Sequence, residues 1–124
     1  MKAVSGYLYI AMTVLLTVYG QLIIKWQVNV AGTPPEATGE KALFLLRLLF
    51  MPWVLSGLAA AFLAAVFWLA TLTRFQLSYA YPFIAFTFVL VIGGGGLLFG
   101  EPITAPKIVG LVLIVAGITI ASQG

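Results

Sequence analysis

The chain has 124 residues, of which 63% are hydrophobic and only 7% are charged. Soluble domains carry about 45–50% apolar and about 25% charged residues, so six basic and three acidic side chains are too few to coat one of this length. The high apolar content excludes a disordered chain, and the absence of histidine and cysteine excludes a disulfide scaffold and most zinc, haem and iron–sulfur sites. The composition predicts an integral membrane protein with no metal or cofactor, and at about 20 residues per crossing it has room for at most four spans.

The net charge of +3 does not indicate a nucleic-acid partner. The basic side chains lie singly near predicted helix ends and form no stripe, which is typical of anchoring at a membrane interface. They are Lys2, Lys25, Lys41, Arg47, Arg74 and Lys107. Their numbers on the two predicted sides of the membrane barely differ, so the positive-inside rule does not choose an orientation.

The first predicted element is a spanning helix over residues 4–26, in which Lys25 is the only charge. The segment is longer than the apolar core of a signal peptide and has no Ala-x-Ala-like site after it, so we expect it to be a span. A loop rich in proline, glycine and charge follows. Residues 42–50 are too few to cross a bilayer and are followed by Pro52, so they predict a short interfacial helix whose Arg47 reaches the headgroups.

Three further spans are predicted over residues 53–73, 77–99 and 104–121. Their connections are short, so these helices are expected to be antiparallel neighbours. The first of the three carries glycine and several alanines, which form a smooth surface for close approach of another helix. The sequence therefore predicts a single all-α transmembrane domain over 1–124, with four spanning helices and an interfacial helix between the first and the second.

Polar residues of the first helix recur every four positions. They are Tyr9, Thr13, Thr17, Gln21 and Lys25. This spacing places them on one slowly winding face, which we call the polar stripe. Unsatisfied polar groups are costly in hydrocarbon, so the stripe is expected to face the protein interior or a wet cavity. One interpretation is hydrogen bonding between helices with Lys25 snorkelling to the interface, and the other is a site for a polar or anionic headgroup at Gln21 and Lys25.

Two features of the third helix are open to a functional or a structural interpretation. Tyr79 and Tyr81, which precede Pro82, belong either to an aromatic belt or to the lining of a substrate path. The four consecutive glycines at 93–96 permit close packing and bending. A phosphate-binding loop is disfavoured because no Gly-Lys-Ser/Thr follows them.

The connection to the fourth helix carries Glu101, the one acid near a spanning segment. Its carboxylate either caps the N-terminus of that helix or contacts a substrate amine or a coupling ion. In the fourth helix, Gly110 and Gly117 are seven positions apart and share a face, which predicts a helix contact between protomers.

Together these residues resemble the drug/metabolite transporter superfamily at its smallest, four-helix size. Gly20 with Lys25, Ala80-Tyr81, and the segment from Gly110 to Gly117 are similar to the small multidrug-resistance group. That group carries a membrane-embedded glutamate three residues before the glycine of its first helix, and this chain has Thr17 there.

A second branch of the superfamily resembles the chain more fully: the small flippase subunits that move 4-amino-4-deoxy-arabinose linked to undecaprenyl phosphate. Their Gly-Gln-Leu-x-x-Lys segment matches Gly20 to Lys25, their Ala-Tyr-Pro matches residues 80–82, and their Glu-Pro pair matches Glu101-Pro102. The resemblance implies a flippase that moves a lipid-linked sugar across the bacterial inner membrane. Its working form would be a homodimer or a heterodimer with a similar small subunit.

For a substrate of this class, the phosphate is expected at Lys25, the sugar at Gln21, Thr17 and Tyr81, and a substrate amine at Glu101. The polyprenyl tail is expected to lie in the bilayer beside the glycine- and alanine-rich surfaces.

Two other function classes stay open. One is an exporter of cationic or guanidinium compounds, for which Glu101 is the available acid, and the other is an accessory subunit that does not transport. An enzyme is the weakest class, because the spans hold no paired carboxylates and Ser56 and Ser78 lack a base.

Overall fold

The computed structural model describes residues 2–123, which form six helices and no strand. The helices are α1 (Lys2–Ala31), α2 (Thr38–Leu49), α3 (Pro52–Leu72), α4 (Leu77–Ile84), α5 (Phe86–Phe99) and α6 (Ala105–Ser122). Three stretches are long and apolar enough to cross a membrane, and a shorter apolar helix follows them; these are Val4–Ala31, Pro52–Leu72, Leu77–Phe99 and Ala105–Ala121. The predicted fold class, an all-α membrane protein of about four spans, is confirmed.

The first helix extends beyond its apolar run. The sequence predicted its end at residue 26, whereas α1 continues to Ala31 and stops at Gly32, whose φ of +85° ends the helical path. The polar residues after Trp26 end the hydrophobic pattern, but they do not break the helix because neither glycine nor proline stands among them. Lys25 therefore lies six residues before the helix end rather than one turn inside it. In the same way α2 begins at Thr38, four residues before its predicted start.

The third span is interrupted rather than continuous. The sequence predicted one helix over 77–99, and the structure divides it at Ala85 into α4 and α5. Pro82 has no amide hydrogen and its ring crowds the carbonyl one turn earlier, so the helix tightens just after it. The Phe88 amide accordingly donates to the carbonyl of Ala85, three residues back, at 3.0 Å.

Helices α1 and α3 are antiparallel and closely packed. At their crossing a Cβ on Gly20 would lie 2.9 Å from the Gly57 carbonyl oxygen, so the two backbones touch without side chains between them. Ala60 and Ala64 are buried on the same face of α3. The buried part of the glycine- and alanine-rich surface thus faces the bundle, whereas Ala59, Ala61 and Ala65 are exposed on α3.

Helix α1 is the centre of the bundle. It contacts α3 on one side and runs parallel to α4 and α5 on the other, where the Tyr7 and Tyr79 hydroxyls are 2.8 Å apart and Leu22 packs on Gly94. Within residues 2–123, α3 and α5 do not touch each other, and α6 packs only against α4 and α5. The polar stripe of α1 therefore borders α3 and α4 at Thr13 and Thr17, and α5 at Gln21 and Lys25.

Candidate functional site

Three of the predicted site residues line one cavity at the end of α1 and α5. We call it the charged cavity; its volume is about 310 Å³ and its walls are Gln21, Leu22, Lys25, Val91, Gly95, Phe99 and Glu101. The four-residue spacing of Gln21 and Lys25 places both side chains on the α1 face that borders the cavity. The opposite wall is α5 and the chain that follows it.

A backbone turn brings Glu101 back over α5. Gly100 ends α5 in the left-handed conformation (φ 66°), and the amides of Gly100 and Glu101 both donate to the carbonyl of Gly95. A Cβ on Gly95 would lie 3.2 Å from Glu101 Oε1, so the absent side chain leaves room for the carboxylate. The N-cap of α6 is Thr104, with no side-chain capping bond. The structure therefore places Glu101 in the cavity rather than at the N-terminus of α6.

The polar side chains of the charged cavity are unpaired. In the described part of the chain, the side chains of Gln21, Lys25 and Glu101 are exposed and form no hydrogen bond or ion pair. An amine, a carboxylate and an amide around one space can bind a ligand that carries both an anionic and a cationic group.

Two tryptophans indicate the depth of this cavity in the membrane. The rings of Trp26 and Trp53 pack edge to face with centroids 5.5 Å apart. Tryptophan is enriched where the apolar core of a bilayer meets the headgroups, and Trp26 adjoins Lys25 in sequence. We therefore expect the charged cavity to lie near the level of the lipid headgroups.

The other two predicted residues, Thr17 and Tyr81, lie in a second cavity of about 250 Å³, between α1, α3 and α4. We call it the threonine cavity; its walls are Thr13, Thr17, Ala61, Ala64, Ala65, Trp68, Tyr81 and Ile84. The three alanines create the space, and the Trp68 and Tyr81 rings meet edge to face at 5.8 Å. The sequence predicted one binding region, and the structure divides it into two along the polar stripe.

The stripe threonines satisfy their hydroxyls within α1. Thr13 Oγ1 donates to the Tyr9 carbonyl at 2.8 Å, and Thr17 Oγ1 donates to the Thr13 carbonyl at 2.7 Å. The interpretation that they bond to other helices is therefore corrected. Each hydroxyl oxygen retains acceptor capacity on the cavity side.

Known proteins match the chain over almost its full length. The relative in Serratia proteamaculans, named "Probable 4-amino-4-deoxy-L-arabinose-phosphoundecaprenol flippase subunit ArnE", is 37% identical over 119 residues, 96% of each chain. ArnE of Yersinia pseudotuberculosis is 33% identical, covering 95% of this chain and 96% of its own. The chain belongs to this family of small flippase subunits. The resemblance found in the sequence is thereby confirmed.

The family has a second kind of subunit that is also similar to this chain. ArnF of Photorhabdus laumondii is 31% identical over 131 aligned positions, which cover 96% of this chain and 98% of its own. No family model matches the chain, and no solved structure does.

Within the flippase-subunit fold, the segment from Gly20 to Lys25 serves packing and the cavity together. Gly20 permits the close crossing with α3, Leu22 packs on α5, and Gln21 and Lys25 line the charged cavity. These two roles account for the concentration of motif residues between Gly20 and Lys25.

Sequence reasoning did not identify Thr87 or Trp68. The Thr87 hydroxyl oxygen is buried and has no hydrogen-bond partner in the described structure. Thr87 precedes Val91 of the charged cavity by four positions on α5, so these two residues share a helix face, and Ile84 of the threonine cavity lies three positions earlier, at the end of α4. The one signal for Thr87 in the sequence is that it is a polar residue within an apolar run. Trp68 has no comparable signal.

The predicted dimer residues lie on the outside of the bundle. Gly117 is exposed and Gly110 is half-buried, and a Cβ on either glycine would meet nothing within 4 Å. Neither glycine is needed for packing within the described chain.

Proposed function

We propose that this chain is one subunit of a flippase that translocates an undecaprenyl-phosphate-linked aminosugar across the bacterial inner membrane. The observation that carries the proposal is the charged cavity, where Lys25 and Glu101 face one space without pairing with each other. The relatives are named for a substrate that contains an amino group and a phosphate. A cavity with one positive and one negative group complements both.

The charged cavity supports a specific assignment of headgroup contacts. Lys25 binds the phosphate, because an ammonium group is the simplest partner for an anion that must leave water. Glu101 accepts hydrogen bonds from the sugar amine, and Gln21 bonds to sugar hydroxyls. The volume of about 310 Å³ is at the lower end of typical small-molecule pockets, which suits a headgroup rather than a whole lipid.

The threonine cavity supports a path for the sugar deeper in the membrane. Thr17 lies one helical turn, about 6 Å, from Gln21 on the same stripe of α1. Thr17 and Tyr81 present oxygens, and Trp68 and Tyr81 present aromatic surfaces, which suit the two kinds of surface of a sugar. The headgroup therefore passes from the charged cavity along the stripe, where the hydroxyl oxygens of Thr17 and Tyr81 are its next polar partners.

The chain acts as a transporter rather than an enzyme, and it works as a dimer. Its matches to both ArnE and ArnF support a homodimer or a heterodimer with a similar small subunit. A proton-coupled exporter of cationic compounds is a weaker alternative, because Thr17 occupies the position of that group's glutamate and its hydroxyl is engaged by the Thr13 carbonyl.

The test measures translocation in vesicles that contain the full-length protein and a labelled undecaprenyl-phosphate aminosugar. We expect Lys25→Ala and Glu101→Gln each to slow translocation by roughly 10- to 100-fold, because a hydrogen bond to a charged group contributes about 1.5–3 kcal/mol. Lys41→Ala and Glu40→Gln are matched controls, since both side chains are exposed on α2 and line neither cavity.

Translocation at the wild-type rate in both cavity variants would remove the charged cavity from the mechanism. Proton-coupled uptake of a guanidinium compound, abolished by Glu101→Gln, would favour the exporter. A substrate analogue without the amino group distinguishes the role of Glu101 from that of Lys25. We expect the wild-type protein to bind this analogue more weakly than the aminosugar. The Glu101→Gln protein should bind the two equally.

A further inference from the structure

An apolar groove adjoins the charged cavity on the outer surface of α1 and α5. Its volume is about 440 Å³, and it is lined by Tyr19, Leu22, Ile23, Trp26, Leu98 and Phe99. We call it the apolar groove. Leu22 and Phe99 line both the groove and the charged cavity, so the two spaces are separated by a shared wall only.

The groove runs in the direction that a lipid tail must take. On α1 it extends from Trp26, at the interface level, to Tyr19, seven residues and about 10 Å towards the membrane centre. Its residues on α1 recur at positions 19, 22, 23 and 26, which form one helix face. A headgroup in the charged cavity would place the first part of its hydrocarbon chain beside this face.

We propose that the apolar groove holds the first isoprene units of the polyprenyl chain whose headgroup occupies the charged cavity. This inference rests on the proposed function and specifies where its substrate is held outside the headgroup. On the glycine- and alanine-rich surface of α3, Gly57 is occupied by Ile23 and Ile24 of α1, so that part of the surface is closed to a hydrocarbon chain.

The groove selects the chain by shape. Surrounding lipid is as apolar as the groove, so entering it gains no hydrophobic free energy, and the affinity comes from contact with a fitted surface. The Tyr19 hydroxyl is held 2.9 Å from Ser56 Oγ, which fixes the ring in the groove wall. A branched, regularly spaced isoprenoid fits such a fixed wall differently from a straight acyl chain.

Two neighbouring leucines provide a matched test. Leu98 lines the groove and is 67% exposed, whereas Leu97 is 88% exposed and does not line it. A photoreactive benzoyl-phenylalanine is placed at either position of the full-length protein. The protein is reconstituted in phosphatidylethanolamine and phosphatidylglycerol vesicles that contain a trace of radiolabelled undecaprenyl-phosphate aminosugar.

We expect the label at Leu98 to exceed that at Leu97 by about threefold or more, as modest packing energies in a membrane imply. Unlabelled undecaprenyl phosphate should compete, and added phospholipid should not. Equal labelling at both positions, or competition by phospholipid, would overturn the inference in favour of ordinary lipid contact. Cross-linking of Leu98 to a second protein copy would overturn it in favour of a protein interface.

Translocation by the wild-type protein is measured in the same vesicles, which separates this inference from the proposed function. Preferential labelling at Leu98 without translocation would support the tail site and contradict the flippase. Translocation with equal labelling would contradict the tail site alone. Leu98→Ala should raise the KM for the long-chain substrate about threefold with kcat unchanged, and Leu97→Ala should change neither.

Discussion

Gly95 of α5 positions Glu101 in the charged cavity in two ways. Its carbonyl holds the turn that returns Glu101, and its missing side chain leaves space for the carboxylate. In Gly95→Ala the Glu101 carboxylate must shift from its present position, because a Cβ would stand 3.2 Å from Oε1. We expect a loss of about 1 kcal/mol in substrate binding, or about fivefold, measured as the KM for translocation.

The control for that prediction is two residues away. A Cβ on Gly93 meets nothing within 4 Å, so Gly93→Ala should leave translocation unchanged. It should also raise the free energy of unfolding, by up to about 1 kcal/mol, because alanine is the better helix former. Equal loss of translocation in both variants would show that the glycine run acts through flexibility rather than through space for Glu101.

We expect the substitution Thr87→Val to stabilise the protein but to slow translocation. Its buried hydroxyl has no partner in the described residues, so Thr87→Val removes an unsatisfied group at almost constant volume. We expect the free energy of unfolding, measured by denaturation in mixed micelles, to rise by about 1 kcal/mol. Translocation should fall, because Thr87 shares a face of α5 with Val91, which lines the charged cavity.

Thr71→Val is the comparison for Thr87→Val. Thr71 is fully buried, but its hydroxyl donates to the Phe67 carbonyl at 2.9 Å. Its replacement should lower the free energy of unfolding slightly or leave it unchanged, and translocation should not change. A stability gain in Thr71→Val as large as that in Thr87→Val would contradict the argument.

At the residue scale, the sequence predicted the members of the candidate site better than their grouping. Periodicity on α1 placed Gln21 and Lys25 side by side, and the cavity contains both. No periodicity relates Glu101 to them, because its position depends on the left-handed turn at Gly100. The distance between Thr17 and Lys25 along α1 follows from the helix rise per residue. The threonine cavity could not be predicted, because the alanines of α3 create its space only where α3 packs beside α1 and α4.

At the scale of secondary-structure elements, the contact of α1 with α3 depends on a pair of glycines, Gly20 and Gly57. A Cβ on Gly20 would stand 2.9 Å from the Gly57 carbonyl oxygen, which is backbone and cannot yield without moving a helix. We expect Gly20→Ala to lower the free energy of unfolding by about 1–2 kcal/mol. Overpacking costs about 1–3 kcal/mol, and the better helix propensity of alanine offsets up to about 1 kcal/mol.

Gly39→Ala is the control for this helix contact. Gly39 lies in α2, and a Cβ there meets nothing within 4 Å. Denaturation in mixed micelles should show no loss of stability for it. If both alanine variants lost the same stability, general effects on helices rather than the crossing would be responsible.

Hydrophobic runs located the helices but not their ends. The apolar pattern stops near Trp26 while the helix continues to Ala31, because helix termination depends on backbone signals such as Gly32. Conversely, the pattern is unbroken across Ala85, where the helix is interrupted by the effect of Pro82. The apolar pattern indicates which segments are helical and apolar. The ends and interruptions of the helices depend instead on residues such as Gly32 and Pro82, which change the backbone conformation.

At the scale of the whole molecule, α6 is the apolar helix that packs least against the other spans. In the described chain it touches only α4 and α5, while α1 touches every helix but α6. Most of α6 is exposed in the isolated chain, including Leu113 and Ile120. A membrane covers such a surface with lipid, yet the glycine face offers a second helix close backbone contact. The proposed surface for association is thus separate from the polar stripe, which we propose carries the substrate.

Association through the glycine face of α6 is therefore testable without disturbing the fold. Gly110→Leu and Gly117→Leu place a large side chain at positions where a Cβ would meet nothing within 4 Å, so we expect the subunit to keep its stability. In a dimer, each leucine would hold the facing helices apart. We expect the dimer fraction, measured by single-molecule photobleaching in vesicles, to fall by about tenfold, which corresponds to about 1.4 kcal/mol.

Val112→Leu provides the control, because its exposed side chain lies about 200° around α6 from Gly110. It should leave the dimer fraction unchanged. Loss of translocation together with dimerisation would show that one subunit cannot enclose the headgroup path, as the open, exposed charged cavity implies. Full translocation by a monomeric variant would instead mean that α1, α3 and α5 suffice, and that α6 associates for another purpose.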